Sequence, residues 1–215
     1  MMGTNYALSE AVLLAIACWA TIKLCRKSQF AAAAAAFLFG LAAAIGTWRF
    51  ATGAVVQLAT FHQTISQFGG IIGLALFAIC FFRLSSLGPL NKPVPEIIGL
   101  VTALFIITAF VLPELSPIFV IILSLTGILS VFLLGEKNSW RQLGPTAVYG
   151  IFLANLLFIR KAPWLDPVVS WHAFHLVLAI WLMLTTRLIL NHISESKLKE
   201  IIGVRNYWGQ SKVPE

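Results

Sequence analysis

Charged residues are scarce in this sequence of 215 residues, where they make up 11% of the chain, against about 25% in an ordinary soluble domain. Hydrophobic residues account for 59% of the chain, and its mean hydropathy is +0.90. So few charges cannot cover so apolar a chain in water, and its solvent must be largely hydrocarbon. The composition therefore excludes a water-soluble globular domain and indicates one integral membrane domain.

Cysteine and several functional motifs are also lacking. The three cysteines (Cys18, Cys25 and Cys80) give no disulfide framework. The sequence has no Gly-rich phosphate loop, no Cys-x-x-Cys pair, no acidic pair within an apolar run and no lysine in the last apolar run. These absences exclude a phosphate-loop nucleotide site and a retinal Schiff base, and they leave no charged pathway for a transporter.

Long apolar runs dominate what is present. A helix needs about 20 residues to cross the hydrocarbon of a bilayer, and seven candidate runs lie at 7–25, 30–48, 61–82, 96–112, 117–135, 143–159 and 168–190. Short breaks rich in charge, Gly and Pro separate them. The sequence therefore predicts an all-α, polytopic bundle of seven transmembrane helices. The apolar segment 50–60 is either a short interfacial helix or an extension of a neighbouring span.

The distribution of Lys and Arg predicts the orientation of the bundle. Twelve of the 15 Lys and Arg residues lie in the loops after the first, third and fifth runs or at and beyond Arg187. Because positive residues accumulate on the cytoplasmic side, we predict a cytoplasmic C-terminus and an external N-terminus. The formal net charge of +7 then indicates contact with anionic lipid head groups, not with nucleic acid. A bacterial inner membrane or its equivalent is the expected location.

The sequence divides into two regions. Residues 1–190 form the predicted seven-helix transmembrane domain. In residues 191–215, Ile and Leu alternate with Lys and Glu from Ile193 onward. This pattern predicts a cytoplasmic amphipathic tail, which either lies on the membrane surface or binds a partner.

Several polar residues, far apart in sequence, are predicted to share one level on the outer side. His62 opens the third run, His172 and His175 open the seventh, Arg49 ends the second, and Glu10 lies at or above that level. Two imidazoles three residues apart share a helix face. With a third from another helix they can hold zinc and leave one position for water. The sequence therefore predicts a zinc site of His62, His172 and His175. Histidines at a membrane interface also serve as anchors or packed, hydrogen-bonded residues, and that alternative stays open.

The predicted seven spans, the external N-terminus and the motif Trp171-His172-Ala173-Phe174-His175-Leu176 resemble the CREST superfamily of membrane hydrolases. This superfamily includes the alkaline ceramidases and the progestin and adiponectin receptors. The resemblance implies a zinc-dependent hydrolase of a lipid amide or ester, with His172 and His175 as ligands. The family pair is four residues apart, however, and here it is three. Gly46-Thr47-Trp48-Arg49 stands where the family has serine and histidine, so His62 would have to substitute as the third ligand.

Two other functions remain open at this point. A haem or quinone protein could pair His62 with His172 or His175 across a cofactor. A non-enzymatic subunit or scaffold of a larger membrane complex would suit the short loops and the alanine run 31–36. The partners implied are a lipid substrate for the hydrolase and other membrane subunits for the scaffold.

Overall fold

The computed structural model describes residues 4–84, 93–133, 139–160 and 162–210. All regular secondary structure within these ranges is helical, which confirms the all-α part of the predicted fold. A 3-10 turn (Pro113–Leu115) precedes the fifth helix and a π turn (Asn155–Ile159) follows the sixth. The helices are α1 (Tyr6–Cys25), α2 (Phe30–Ala51), α3 (Ala59–Leu84), α4 (Pro93–Val111), α5 (Ser116–Phe132), α6 (Ser139–Ala154) and α7 (Pro167–Gln210).

Six segments of the described chain are long and apolar enough to cross a membrane. They are α1, α2, α3 and α4, the segment Pro113–Phe132 and the first part of α7, Pro167–Ser194; a shorter apolar segment, Pro145–Ile159, lies in α6 and the π turn. Large apolar side chains such as Leu100 and Phe110 on α4 are exposed on the outside of the bundle. The fold is thus that expected of a multi-pass membrane protein, whose outer surface faces hydrocarbon.

Small residues bring α2 close to α1 and α3. Ala32, Ala35 and Ala36 are completely buried on α2. A Cβ atom added at Gly40 of α2 would lie 3.0 Å from the Cβ of Ala17 on α1. Such contacts let helix backbones approach closely in a solvent that provides no hydrophobic drive for association. The alanine run is therefore a packing surface inside this bundle.

An aromatic cluster around Trp181 joins α7 to three other helices. The Trp181 side chain is fully buried. Its ring centroid lies 5.5 Å from that of Phe39 on α2, 5.6 Å from Phe77 on α3 and 4.7 Å from Phe152 on α6. These contacts pack one face of α7 against the bundle, and the first turns of α7 carry His172 and His175.

The segment 50–60 differs from the sequence prediction. The apolar stretch 50–60 is neither a separate helix nor a simple extension, because α2 ends at Ala51, α3 begins at Ala59 and residues 52–58 form turns. Gly53 has a φ of +73°, a conformation that favours glycine. At the other end of the chain, α7 continues without a break from Pro167 to Gln210. The amphipathic character of the tail stays a prediction, since it depends on side chains beyond the described ones.

Candidate functional site

Three helices meet at a buried carboxyl group near the start of α1. Glu10 is only 1% exposed. Its Oε1 atom lies 3.2 Å from Nε2 of His175 on α7 and 3.6 Å from Nε2 of His62 on α3. We call Glu10, His62 and His175 the buried triad. It lies at the end of the bundle where α1, α3 and α7 begin and α2 finishes, which we call the proximal end.

His62 is held from its other side by Arg49 at the end of α2. Nη1 of Arg49 lies 3.4 Å from Nδ1 of His62, and Nε of Arg49 donates a hydrogen bond of 2.7 Å to the carbonyl of Val55. Because a guanidinium has donors but no acceptor, Nδ1 of His62 is the accepting nitrogen. The proton of a neutral His62 then lies on Nε2, which faces Glu10.

His175 has the opposite tautomer. Its Nδ1 atom lies 2.8 Å from the carbonyl oxygen of Trp171, and since a carbonyl only accepts, Nδ1 donates. Nε2 of a neutral His175 therefore directs a lone pair toward Glu10. A hydrogen bond across the 3.2 Å between these two atoms would therefore need a proton on one of the two groups. Glu10 and His175 are close enough to pass a proton between them.

Gly46 on α2 makes room for the buried triad. A Cβ atom added there would lie 2.5 Å from Oε1 of Glu10 and 2.9 Å from Nε2 of His62. Oε1 of Glu10 also has no hydrogen bond of regular geometry to any described residue. The oxygen is thus closely confined, yet it keeps hydrogen-bonding capacity for a proton or a bound group.

His172 contacts Ser9 and not Glu10. Its Nδ1 atom lies 3.0 Å from Oγ of Ser9, the residue before Glu10 on α1. The ring of Tyr6 stacks on the imidazole, with centroids 5.8 Å apart and planes inclined by 26°. The two histidines of α7 therefore contact two adjacent residues of α1: His172 contacts Ser9, and His175 contacts Glu10.

The described residues give the predicted zinc site no support. No group of three His, Cys, Asp or Glu side chains within ranges 4–84, 93–133, 139–160 and 162–210 is placed to hold a metal ion. His62 and His175 do converge, but His172 is paired with Ser9. The Arg49 contact further makes His62 present an N–H group to the centre, where a metal requires a lone pair. In this arrangement the three histidines do not fit zinc.

Sequence reasoning placed His62, His172, His175 and Arg49 at one level and Glu10 at or above it. The structure brings His62, His175, Arg49 and Glu10 together. It missed the central position of Glu10 and the space left by Gly46. A signal for Glu10 was available, because it is the only acidic residue in the first 95 residues of the chain. Nothing in the sequence marked Gly46 apart from the other glycines.

Comparison of the chain with protein-family models, with curated proteins and with solved structures finds no match. The resemblance to the CREST superfamily therefore rests on the residues quoted above alone.

Proposed function

We propose that this protein is a membrane-embedded hydrolase, which cleaves a lipid amide or ester by acid–base catalysis centred on Glu10. The observation that carries the proposal is the contact of a buried carboxyl group with two imidazoles from two other helices. Ionisable groups inside membrane helices are expensive and commonly mark a functional site. A protein that served only as a scaffold would be more easily built without them.

The close approach of Glu10 and His175 supports an acid–base role, since their Oε1 and Nε2 atoms lie 3.2 Å apart. Such a pair can accept a proton from an attacking hydroxyl group and return it to the leaving group. His62 directs an N–H toward the same point, with the positive charge of Arg49 behind it. This donor is suited to stabilise negative charge that develops on a carbonyl oxygen. The four side chains together provide the groups that hydrolysis needs.

A lipid substrate is supported by the apolar outer surface of α1 and α7 at the level of the triad. On α1, Leu8 is 67% exposed, and on α7, Leu176 is 42% exposed. These residues lie within one turn of Glu10 and His175 along their helices and present apolar surface on the outside of the bundle at the same level. A substrate that approaches the triad past this surface would come from the bilayer.

Activity measurements on matched variants test the proposal. The purified protein is assayed in mixed micelles with a panel of lipid amides and esters, alongside Glu10→Gln and the control Glu96→Gln, an exposed residue of α4. Loss of a general acid or base lowers the rate by about 10²–10⁴-fold, so Glu10→Gln should lose activity to this extent and Glu96→Gln should keep it. Wild-type activity in Glu10→Gln, or no hydrolysis by the wild type, contradicts the proposal.

The zinc-dependent form of this proposal, which the CREST resemblance implies, requires His172 to leave Ser9 and His62 to change its protonated nitrogen. Metal analysis of the purified protein distinguishes the two forms. About one zinc per chain that disappears in His172→Ala would support the metal site. Hydrolysis that persists after chelation and dialysis would support the metal-free centre.

The cofactor alternative is tested in the same preparation. In a haem protein, His62 and His175 would ligate one iron from opposite sides, whereas here both contact a single oxygen of Glu10. The absorption spectrum of the purified protein should therefore lack a Soret band.

Stable copurification with other membrane subunits, without hydrolytic activity, would favour the scaffold.

We also propose that the chain crosses the membrane seven times, with the proximal end outside. From Ser139 to Ile159 the chain has 21 residues, or about 31 Å of helix at 1.5 Å per residue. This segment runs antiparallel to α7, because Ile159 meets Ser170, Asn155 meets Phe174 and Tyr149 meets Trp181. The excess of Lys and Arg on the opposite side supports the predicted orientation.

A further inference from the structure

Ser9 has a hydrogen-bonding partner unlike those of the other buried serines. Its Oγ atom lies 3.0 Å from an imidazole nitrogen, Nδ1 of His172. Ser124 and Ser130 on α5 donate to backbone carbonyls of their own helix, and Ser170 donates to the carbonyl of Ile159. Ser116 accepts a hydrogen bond from the side-chain amide of Gln67, which has no lone pair on nitrogen to take up a proton. A carbonyl cannot take up the hydroxyl proton, whereas an imidazole can. Ser9 thus differs from the other buried serines in having a partner that can accept its proton, and not in how deeply it is buried.

We infer that Ser9 is the nucleophile of the hydrolase proposed above, with His172 as its base. A serine hydroxyl is a weak nucleophile until a neighbouring base accepts its proton. When the proton of His172 lies on Nε2, Nδ1 is free to accept the hydrogen bond from Ser9. Tyr6 stacks on the imidazole and fixes its plane toward α1. The inference rests on the proposed hydrolytic function and names the atom that attacks.

The reaction then has two balanced steps. Oγ of Ser9 bonds to the carbonyl carbon of the lipid and gives its proton to His172, which passes it to the leaving nitrogen or oxygen as the amide or ester bond breaks. A water molecule then attacks the acyl-serine ester and loses a proton to the pair of Glu10 and His175. The acid is released, and the proton returns to Oγ of Ser9. Two adjacent residues of α1 thus act in turn: Ser9 attacks in the first step, and Glu10 takes part in the second.

Covalent labelling tests the inference without knowledge of the natural substrate. The probe is a small alkyl fluorophosphonate, chosen because Ser9 is only 3% exposed. The hydroxyl attacks phosphorus, fluoride leaves, and the adduct is located by mass spectrometry of the intact protein and its peptides. We expect an adduct on Ser9, none in Ser9→Ala, and labelling at least about 10²-fold slower in His172→Ala.

Ser170→Ala is the matched control, since this buried serine lies at the same end of the bundle but donates to a carbonyl. It should be labelled like the wild type. No adduct on Ser9 of the folded wild type, or equal labelling of Ser9→Ala, overturns the inference. If Ser9→Ala still hydrolyses lipid while Glu10→Gln does not, the nucleophile is water and only the role of Ser9 is refuted. If the wild type neither hydrolyses lipid nor reacts, the proposed function itself fails.

Discussion

At the scale of single residues, the site depends on how closely a carboxyl group is enclosed. Glu10 is surrounded by two imidazoles and by the backbone of α2 at Gly46. An ionised carboxylate in such a place is costly unless it is paired, and removing one member of a buried pair typically costs about 3–5 kcal/mol. The neighbours of Glu10 therefore matter to folding as well as to chemistry.

Substitution at Gly46 tests this enclosure. In Gly46→Ala the added methyl group would meet Oε1 of Glu10 at 2.5 Å and Nε2 of His62 at 2.9 Å. Overpacking of this kind destabilises by about 1–3 kcal/mol, and it should separate the carboxyl group from His62. We expect a lower thermal unfolding midpoint in detergent together with loss of hydrolytic activity.

Gly70→Ala is the control for this change, because a methyl group added at Gly70 on α3 meets nothing within 4 Å. Replacing an unconstrained helical glycine by alanine stabilises a helix by about 0.5–1 kcal/mol. Gly70→Ala should therefore unfold at the same or a slightly higher temperature than the wild type. Equal behaviour of the two variants would show that α2 does not enclose the triad as described.

The sequence could predict the depth of these residues but not their contacts. Depth follows from distance along an apolar run, and it placed Arg49 and the three histidines at one level, with Glu10 at or above it. Contacts depend on the rotation of each helix about its axis, which packing decides. His172 and His175 are about 300° apart in rotation, a difference of only 60° on the helix surface. That difference is enough to direct one to Ser9 and the other to Glu10.

At the scale of helices, α5 and α6 fit together through one glycine and one aromatic ring. A Cβ atom added at Gly127 on α5 would overlap the ring of Tyr149 on α6. The Tyr149 ring is completely buried and contacts Trp181 and Phe81 edge-on, with centroids 5.6 Å and 5.8 Å away. The ring cannot move aside without disturbing α3 and α7.

Gly127→Ala should therefore be among the most destabilising single-methyl additions in the protein. We expect a loss of about 3 kcal/mol, at the upper end of overpacking costs, measured by thermal or denaturant unfolding in detergent. Gly99→Ala on α4, where an added methyl group meets nothing within 4 Å, is the matched control. A small effect at both positions would mean that α6 is not pressed against α5.

Asn155 links the π turn to the first part of α7. Its Nδ2 atom donates a 2.8 Å hydrogen bond to the carbonyl of Phe174, next to His175, and its side chain is buried. Asn155→Leu removes this bond with little change in size and should cost about 1 kcal/mol. Asn155→Asp places an acceptor against an acceptor and should cost about 2–3 kcal/mol. The order of the two unfolding midpoints, Leu above Asp, checks the contact, and the reverse order would contradict it.

The helices themselves were largely predictable, because apolar length is what a bilayer selects. The predicted run 7–25 corresponds to Tyr6–Cys25, and 96–112 corresponds to Pro93–Val111. The segment 50–60 was not predictable, since an apolar stretch can continue a helix or turn at an interface. There the bond from Arg49 to the carbonyl of Val55 joins the end of α2 to the turns, and this tertiary contact leaves no trace in hydropathy.

At the scale of the whole molecule, the orientation of α1 decides which side the site faces, and the number of membrane crossings decides on which side the C-terminal end of the bundle lies. The pairing of α6 with α7 supports a seventh crossing by α6, although its apolar part, Pro145–Ile159, is shorter than the other spans. An odd number of crossings puts the two ends of the bundle's chain on opposite sides of the membrane. An even number puts them on the same side.

Single-cysteine labelling in intact cells decides between these arrangements. In a background with Cys18, Cys25 and Cys80 replaced by serine, Thr4→Cys and Ser194→Cys place a thiol at two exposed positions, one just before α1 and one at the last residue of the α7 span. A membrane-impermeant maleimide should label Thr4→Cys directly and Ser194→Cys only after permeabilisation, because twelve of the 15 Lys and Arg residues keep the latter side cytoplasmic. Denatured samples of both variants control for thiol reactivity. Labelling of both positions from the same side would mean six crossings. Direct labelling of Ser194→Cys alone would place the triad on the cytoplasmic side, where lipid of the external leaflet could not be its substrate.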